Sequence, residues 1–203
     1  MEKVPSTKLP YPKTKTGTLK TNPFVMIMGG LPLASEYRLM YELTSSLHTS
    51  QQVGFSYLGR TLLYRPLAKQ LDSTLTLDVV FRGFRLQYMY KIFIGRQDYA
   101  PEGWYLGPIA SYATGRLSLG YWMSGGRYIE MKQGYCCMTL GRQARIGGRL
   151  TYDVFIGMGY KKNRLEQHYP NAPSQPIELD SGLGAFYYSN FKFCTGMNFG
   201  LMF

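Results

Sequence analysis

The sequence predicts an all-β chain, an eight-stranded antiparallel transmembrane up-and-down β-barrel, and three observations carry that expectation. Stretches of about ten residues alternate apolar and polar side chains and then break at Gly, Pro, Ser or Asn clusters, the rhythm of barrel strands. Charged residues make up only 17% while Tyr 18, Phe 11 and Gly 23 are high, a balance that suits aromatic girdles on a lipid-facing wall and small residues inside it. No apolar run reaches the roughly 18 residues that a membrane-spanning helix needs. The best charge-free stretch, Thr21 to Ser35, holds Pro23, Gly29, Gly30 and Pro32. If the chain enters a membrane, a closed barrel is the remaining way to satisfy its backbone.

A length of 203 residues allows one domain. Residues 1–17 read as a flexible periplasmic N-terminal tail rich in Lys and Pro, and 18–203 as the barrel. Lys3, Lys8, Lys13 and Lys15 leave no apolar core for a signal peptide between Met1 and Lys20, so the numbering reads as starting near a mature end.

The first strand falls near Gly17 to Gly29, with both faces apolar over Phe24 to Met28 and its register open. The second, near Ser35 to Ser45, sets Tyr37, Leu39, Tyr41 and Leu43 against Glu36, Arg38, Met40 and Glu42, confining charge to one side. A third falls near Gln51 to Gly59. Between it and the next, residues 60 to 80 have room for a short helix such as Leu67 to Leu71 or for an extension of the fourth strand. That fourth strand, near Arg82 to Gly95, opposes Phe84, Leu86, Tyr88, Tyr90, Ile92 and Ile94 to Arg85, Gln87, Met89, Lys91 and Phe93. The fifth and sixth fall near Glu102 to Ala113 and Lys132 to Gln143. The seventh, near Gly148 to Lys161, faces Leu150, Tyr152, Val154, Ile156, Met158 and Tyr160 outward and Arg149, Thr151, Asp153 and Phe155 inward.

The last strand is the most specific signal. Phe191, Phe193, Thr195, Met197, Phe199, Leu201 and Phe203 share one face, opposite Lys192, Cys194, Gly196, Asn198, Gly200 and Met202. Phe199, Leu201 and the terminal Phe203 have the form of a carboxy-terminal assembly signal for outer-membrane barrels. Short links near 45–50, 96–101 and 144–147 and long ones at 60–80, 114–131 and 162–188 orient the barrel with both termini in the periplasm of a Gram-negative cell.

A formal net charge of +11 invites a nucleic-acid reading. The Lys and Arg are spread over strands, turns and tail with no basic helix or recognised binding motif, so no nucleic-acid partner is expected. Basic residues at loop bases suit the phosphates of lipopolysaccharide instead. Cys136, Cys137 and Cys194 are too few and too unevenly spaced for a disulfide framework or a zinc site, and read as small apolar residues.

Several segments resemble an uncharacterised family of small outer-membrane barrels of the Bacteroidota, of the OmpA/OmpX-like eight-stranded kind. They are Leu19-Lys20-Thr21-Asn22, Gly83 to Lys91, Gly103-Trp104-Tyr105-Leu106-Gly107 and the Phe-terminated last strand. The resemblance implies an outer-membrane barrel and brings no enzyme activity. That family usually carries an acidic residue inside its fourth strand, where this chain has Met89.

An eight-stranded barrel has an interior that side chains just fill. Glu36, Arg38, Glu42, Arg85, Lys91, Arg149, Asp153 and Lys192 are the candidates for a polar network there, paired because an unpaired buried charge costs several kcal/mol. His48 falls in a short turn. His168 lies in the last outer loop with Glu166, Ser174 and Asp180 near in sequence, among Pro170, Pro173 and Pro176, and reads as part of a recognition loop. No cofactor or metal is expected, and no catalysis. The expected function is a structural or accessory subunit docked beside a larger outer-membrane protein or periplasmic partner, in transport, secretion or barrel assembly. The alternatives are an outer-leaflet lipid-modifying or proteolytic enzyme centred on His168, and a soluble lipocalin-like binder.

Overall fold

A computed structural model describes residues 16–28, 34–60, 79–95, 100–119, 126–177 and 189–203. In chain order these form β1 (Gly17–Thr21), α1 (Pro23–Met28), β2 (Ala34–Thr44), β3 (Thr49–Arg60), β4 (Val79–Phe93), β5 (Gly103–Leu119), β6 (Tyr128–Ile146), β7 (Leu150–Tyr169), β8 (Ala172–Pro176) and β9 (Phe191–Met202). Each strand from β1 to β7 pairs antiparallel with the next, and β9 closes the cylinder by pairing with both β7 and β1. The result is a closed eight-stranded antiparallel barrel, with β8 as a short hairpin partner on the far end of β7. At the seam Leu19 faces Leu201 and Thr21 faces Phe199. Beyond it Gly17 and Phe203 exchange N–H to C=O bonds of 3.2 and 3.0 Å, so no open edge is left there.

The first strand is shorter than expected, and this is a correction. It ends at Thr21 because Asn22 caps a helix: the Val25 N–H donates to Asn22 Oδ1 at 3.1 Å. Pro23 takes the first helical position, where its missing N–H is no loss. The long-loop end is more ordered than loop lengths implied, since β5 runs to Leu119, β6 starts at Tyr128 and β7 continues to Tyr169. The helix considered at Leu67 to Leu71 lies outside the described residues. Of the expected tail only Thr16 and Gly17 are described, and Gly17 already pairs with Leu43.

Alternation sorts the two faces of the wall. Outward positions such as Leu39, Phe55, Leu86, Leu106, Leu140, Ile156 and Phe193 expose large apolar side chains. On β7 the apolar outward run goes from Leu150 to Tyr160, and then gives way to exposed Lys162 and Arg164. Inward positions build a mixed core, in which Met89, Phe93, Tyr105, Ile109, Cys137, Phe155 and Cys194 pack together. Cys137 and Cys194 are disulfide-bonded, correcting their reading as simple apolar side chains. They sit on β6 and β9, either side of β7, and pair in register with Gly159 and Gly157, which have no side chains to fill the space between them. Cys136 faces out and is free.

Candidate functional site in the barrel interior

The inward polar residues fall into two levels. The lower, near the termini, is centred on four fully buried charges, Lys20 from β1, Glu42 from β2, Lys91 from β4 and Asp153 from β7. Lys20 Nζ donates to Asp153 Oδ2 at 2.9 Å and to Gln143 Oε1 at 2.8 Å, and pairs with Glu42. Lys91 Nζ donates to the same Asp153 oxygen at 2.6 Å, to Gln143 Oε1 at 2.8 Å and to Glu42 Oε2 at 3.3 Å. The second Asp153 oxygen accepts the Tyr105 hydroxyl at 2.5 Å, and Glu42 Oε1 accepts Ser50 Oγ at 2.5 Å. A Cβ at Gly141 would overlap the Tyr105 ring, so that glycine makes room for the phenol. Two ammonium groups thus share two carboxylates, a neutral arrangement that keeps the several-kcal/mol penalty of an unpaired buried charge from arising.

The upper level, toward the long loops, is built on Glu36. Arg38 Nη2 reaches Glu36 Oε1 at 2.6 Å, and Arg85 Nη1 reaches Glu36 Oε2 at 2.8 Å. The other Arg85 terminal nitrogen donates to Gln133 Oε1 at 3.4 Å. Lys192, half-buried on β9, lies 5.4 Å from the centre of the Tyr135 ring, and Lys161 is buried on the inward face of β7. Arg85 and Lys161 lie near enough to repel the Lys192 charge, and Glu36 is the attracting group.

Of the residues expected in the interior, Glu36, Arg38, Glu42, Lys91 and Asp153 are buried there, and Arg85 and Lys192 are partly so. Arg149 is not, which is a correction. Residues 147–149 form the β6–β7 turn, opened by Gly147 at φ 69°, so strand alternation does not govern Arg149 and its side chain is exposed. Sequence reasoning missed Lys20, Gln143, Tyr105 and Lys161. Lys20 had a signal, since Thr18, Lys20 and Asn22 alternate with Leu19 and Thr21. The apolar run of α1, taken as strand, hid that register. Phe199, Leu201 and Phe203 all point outward.

Above the apolar belt, on the outer face, Glu130 and Lys132 of β6 meet Arg164, Glu166 and His168 of β7. Lys132 Nζ lies 2.9 Å from Glu130 Oε2 and 3.9 Å from Glu166, Arg164 lies 2.5 Å from Glu166, and His168 Nε2 lies 3.3 Å from Glu130. The Lys132 hydrogen bond holds the Glu130 carboxyl below the ordinary carboxylate range. One ligand atom each from Glu130, Glu166 and His168 lies within 4.8 Å of the others, a spacing compatible with a metal. The two basic side chains already serve the carboxylates, however, and Tyr128 stacks on the imidazole at 4.7 Å. Ser174 is exposed on β8, Asp180 lies outside the described residues, and His48 is in the exposed β2–β3 turn.

The fold and interior define a closed, charge-plugged eight-stranded barrel. Comparison with known proteins adds no relative: no protein family, no curated protein and no solved structure matches the chain.

Proposed function

We propose that this protein is an outer-membrane β-barrel of a Gram-negative bacterium, with both termini periplasmic, serving as a structural or accessory subunit of a larger outer-membrane complex. The observation that carries the reading is the apolar outward belt. From Leu150 to Tyr160 a strand climbs about 34 Å along itself, or about 26 Å along the barrel axis at a ~40° tilt, close to the ~25 Å apolar band of such barrels. A belt of this size facing water would be a severe aggregation liability. Aromatic residues border it, with Trp104 at the terminus end under the Arg142 guanidinium. Above the belt, Arg116 and Lys162 add outward positive charge beside the Lys132–Glu130 and Arg164–Glu166 pairs, a fit for lipopolysaccharide phosphates.

The subunit role rests on the plugged interior. With its four buried charges locked on one another, the lower level leaves a substrate no uncommitted charge, and the outer surface, tail and loops are read as the working parts. Native purification from membranes in mild detergent tests the proposal. A larger membrane protein recovered in fixed stoichiometry is the expected result, and recovery of this chain alone would remove the subunit role. Purification without detergent as a monodisperse monomer would remove the membrane itself.

A further inference from the structure

Between β3 and β4 the wall divides at its long-loop end. Among the described residues the two strands pair up to Leu58 and Gly83 and no further, although β3 continues to Arg60 against β2 and β4 starts at Val79 against β5. The division leaves a cleft of about 450 Å³ lined by Tyr37, Tyr57, Gly59, Val80, Phe81 and Arg82, within the size range of small-ligand sites. Tyr37 and Tyr57 form its aromatic side, with ring centres 6.3 Å apart. Gly59 gives the Tyr57 ring its place, since a Cβ there would lie 2.8 Å from it. The opposite side carries charge. Arg82 is exposed and takes part in no ion pair among the described residues. The residue that faces it in register on β5 is another cation, Arg116, whose guanidinium stands over the Tyr128 ring at 4.9 Å. Arg116 in turn faces Glu130, a carboxylate that already serves Lys132 and His168. Arg82 is thus the cation with no carboxylate, beside a like charge that the sheet holds in place at some cost. Its depth is also defined. On β4 the outward apolar series ends at Phe84, and Arg82 is the next outward residue, so the cleft opens at the upper margin of the apolar belt.

We propose that this cleft is a binding site for the phosphorylated sugar headgroup of an outer-leaflet glycolipid, the chemistry of lipopolysaccharide. Arg82 holds a phosphate through paired N–H donors, and the two tyrosine rings offer apolar faces to a sugar ring. The acyl chains of the same lipid lie along the belt below, beginning at Phe84 and Leu86. That anchoring raises the concentration of the headgroup at Arg82. A free phosphate ion has no such anchor and meets a single exposed guanidinium, which holds it weakly, so the source is the lipid. The inference rests on the membrane placement proposed above and names one lipid site on that surface.

The test uses the full chain refolded in a polyoxyethylene detergent, which brings neither sugar nor phosphate. Purified lipid A is the probe, and native mass spectrometry counts bound lipids over a titration. A single lipid A per chain is expected to bind ahead of any others. Arg82→Gln should weaken that first event about tenfold, the loss of one charged hydrogen-bonded contact. Lys162→Gln, an equal charge change elsewhere on the outer face, should leave it unchanged. Val80→Trp, which narrows the cleft and keeps every charge, should weaken it too. Lipid A stripped of its phosphates should bind the parent no better than it binds Arg82→Gln. Equal losses in Arg82→Gln and Lys162→Gln would overturn the site by reducing it to overall charge, and so would a first lipid that is indifferent to both Arg82→Gln and Val80→Trp. Displacement of lipid A by an equal concentration of inorganic phosphate would overturn the lipid source. Insertion of the parent chain into vesicles, followed in parallel by protease protection, separates the two failures. A chain that inserts but shows none of these differences loses the site alone, and one that stays in solution loses the membrane placement with it.

Discussion

Lys20 and Lys192 are both lysines on inward faces, on β1 and β9, the two strands that meet at the barrel seam, yet their surroundings are opposite. Lys20 meets two carboxylates and an amide oxygen with no exposure at all, while Lys192 meets an aromatic ring, two other cations and the Glu36 carboxylate that two arginines already share. The first arrangement is closed: each charge is neutralised from two sides, and nothing in it can change partners without stranding another group. The second is looser: Arg38 and Arg85 take both oxygens of Glu36, and Lys192 stands against an aromatic ring. Residue type therefore says little about role inside a barrel, and the charge balance of each level says more. One level is tightly paired on itself, and the other is less so.

The sharpest way to break this comparison is to remove the hub of the closed level. Asp153→Ala takes the shared acceptor from Lys20, Lys91 and Tyr105 and leaves two buried ammonium groups with one carboxylate, Glu42, and the Gln143 amide oxygen, so a loss of about 3–5 kcal/mol is expected. Urea unfolding of the barrel in lipid vesicles measures it. Replacing Asp153 and Lys91 together by Met should recover much of the loss, because a buried pair can be exchanged for apolar side chains at little cost. If the single variant is as stable as the parent, the level is not a closed network.

The next residue on the same strand poses the opposite problem. Val154 is outward and 40% exposed, so Val154→Arg leaves the interior untouched and places a charge on the belt. A loss of about 2–4 kcal/mol in lipid is expected if the site is near the bilayer midplane, falling toward zero near an interface. The same variant studied in a soluble detergent micelle should be far less affected. Equal tolerance of Arg at Val154 in both media would argue that the belt does not face hydrocarbon.

A smaller effect should come from adding a carboxylate to the looser level. Gln133→Glu gives Arg85 a carboxylate in place of an amide oxygen 3.4 Å away. The pair is partly exposed, so a gain of up to about 1 kcal/mol is expected, read as a shift of the urea midpoint in phosphate-free buffer. A destabilised variant would mean that the upper level has no use for a further carboxylate.

Much of this was legible in the sequence, and what was not has physical causes. On β2, β4 and β7 strict alternation separates Leu39, Leu86 and Val154 from Glu42, Lys91 and Asp153, so faces and strand order could be read from pattern alone. Lys20 escaped because β1 is only five residues long and runs into an apolar helix, where period-two logic fails. Asn22-Pro23 is the signal that could have separated the two, as a capping residue followed by a proline at the first helical position. Arg149 was misplaced because alternation was carried through a turn that Gly147 breaks. The Cys137–Cys194 link and the Gln143 bridge join residues 57 and 123 positions from their partners, and a sequence pattern carries no information about such pairs until strand register is known.

The smallest expected effect tests the two ends of one hairpin. Near its long-loop end the β6–β7 ladder is crossed by the Lys132–Glu166 and His168–Glu130 contacts, with Glu130 also tied to Lys132 along β6, and near its turn Ile146 pairs with Leu150. Glu130 has its carboxyl held below the ordinary range by Lys132. A depressed carboxylate adds stability that is present above its unfolded value and is lost as pH falls through the lower, folded value. The contribution should therefore be complete at neutral pH, begin to fall at the ordinary carboxylate value and be gone only below the depressed one. Both groups are partly exposed at the surface, so the effect is local and screened by salt. Glu130→Gln should speed amide exchange over residues 128–132 and 164–168 at neutral pH, leave residues 144–152 unchanged, and differ little from the parent once both are acidified. An exchange difference that persisted at acid pH would place the influence of Glu130 in packing and not in its charge.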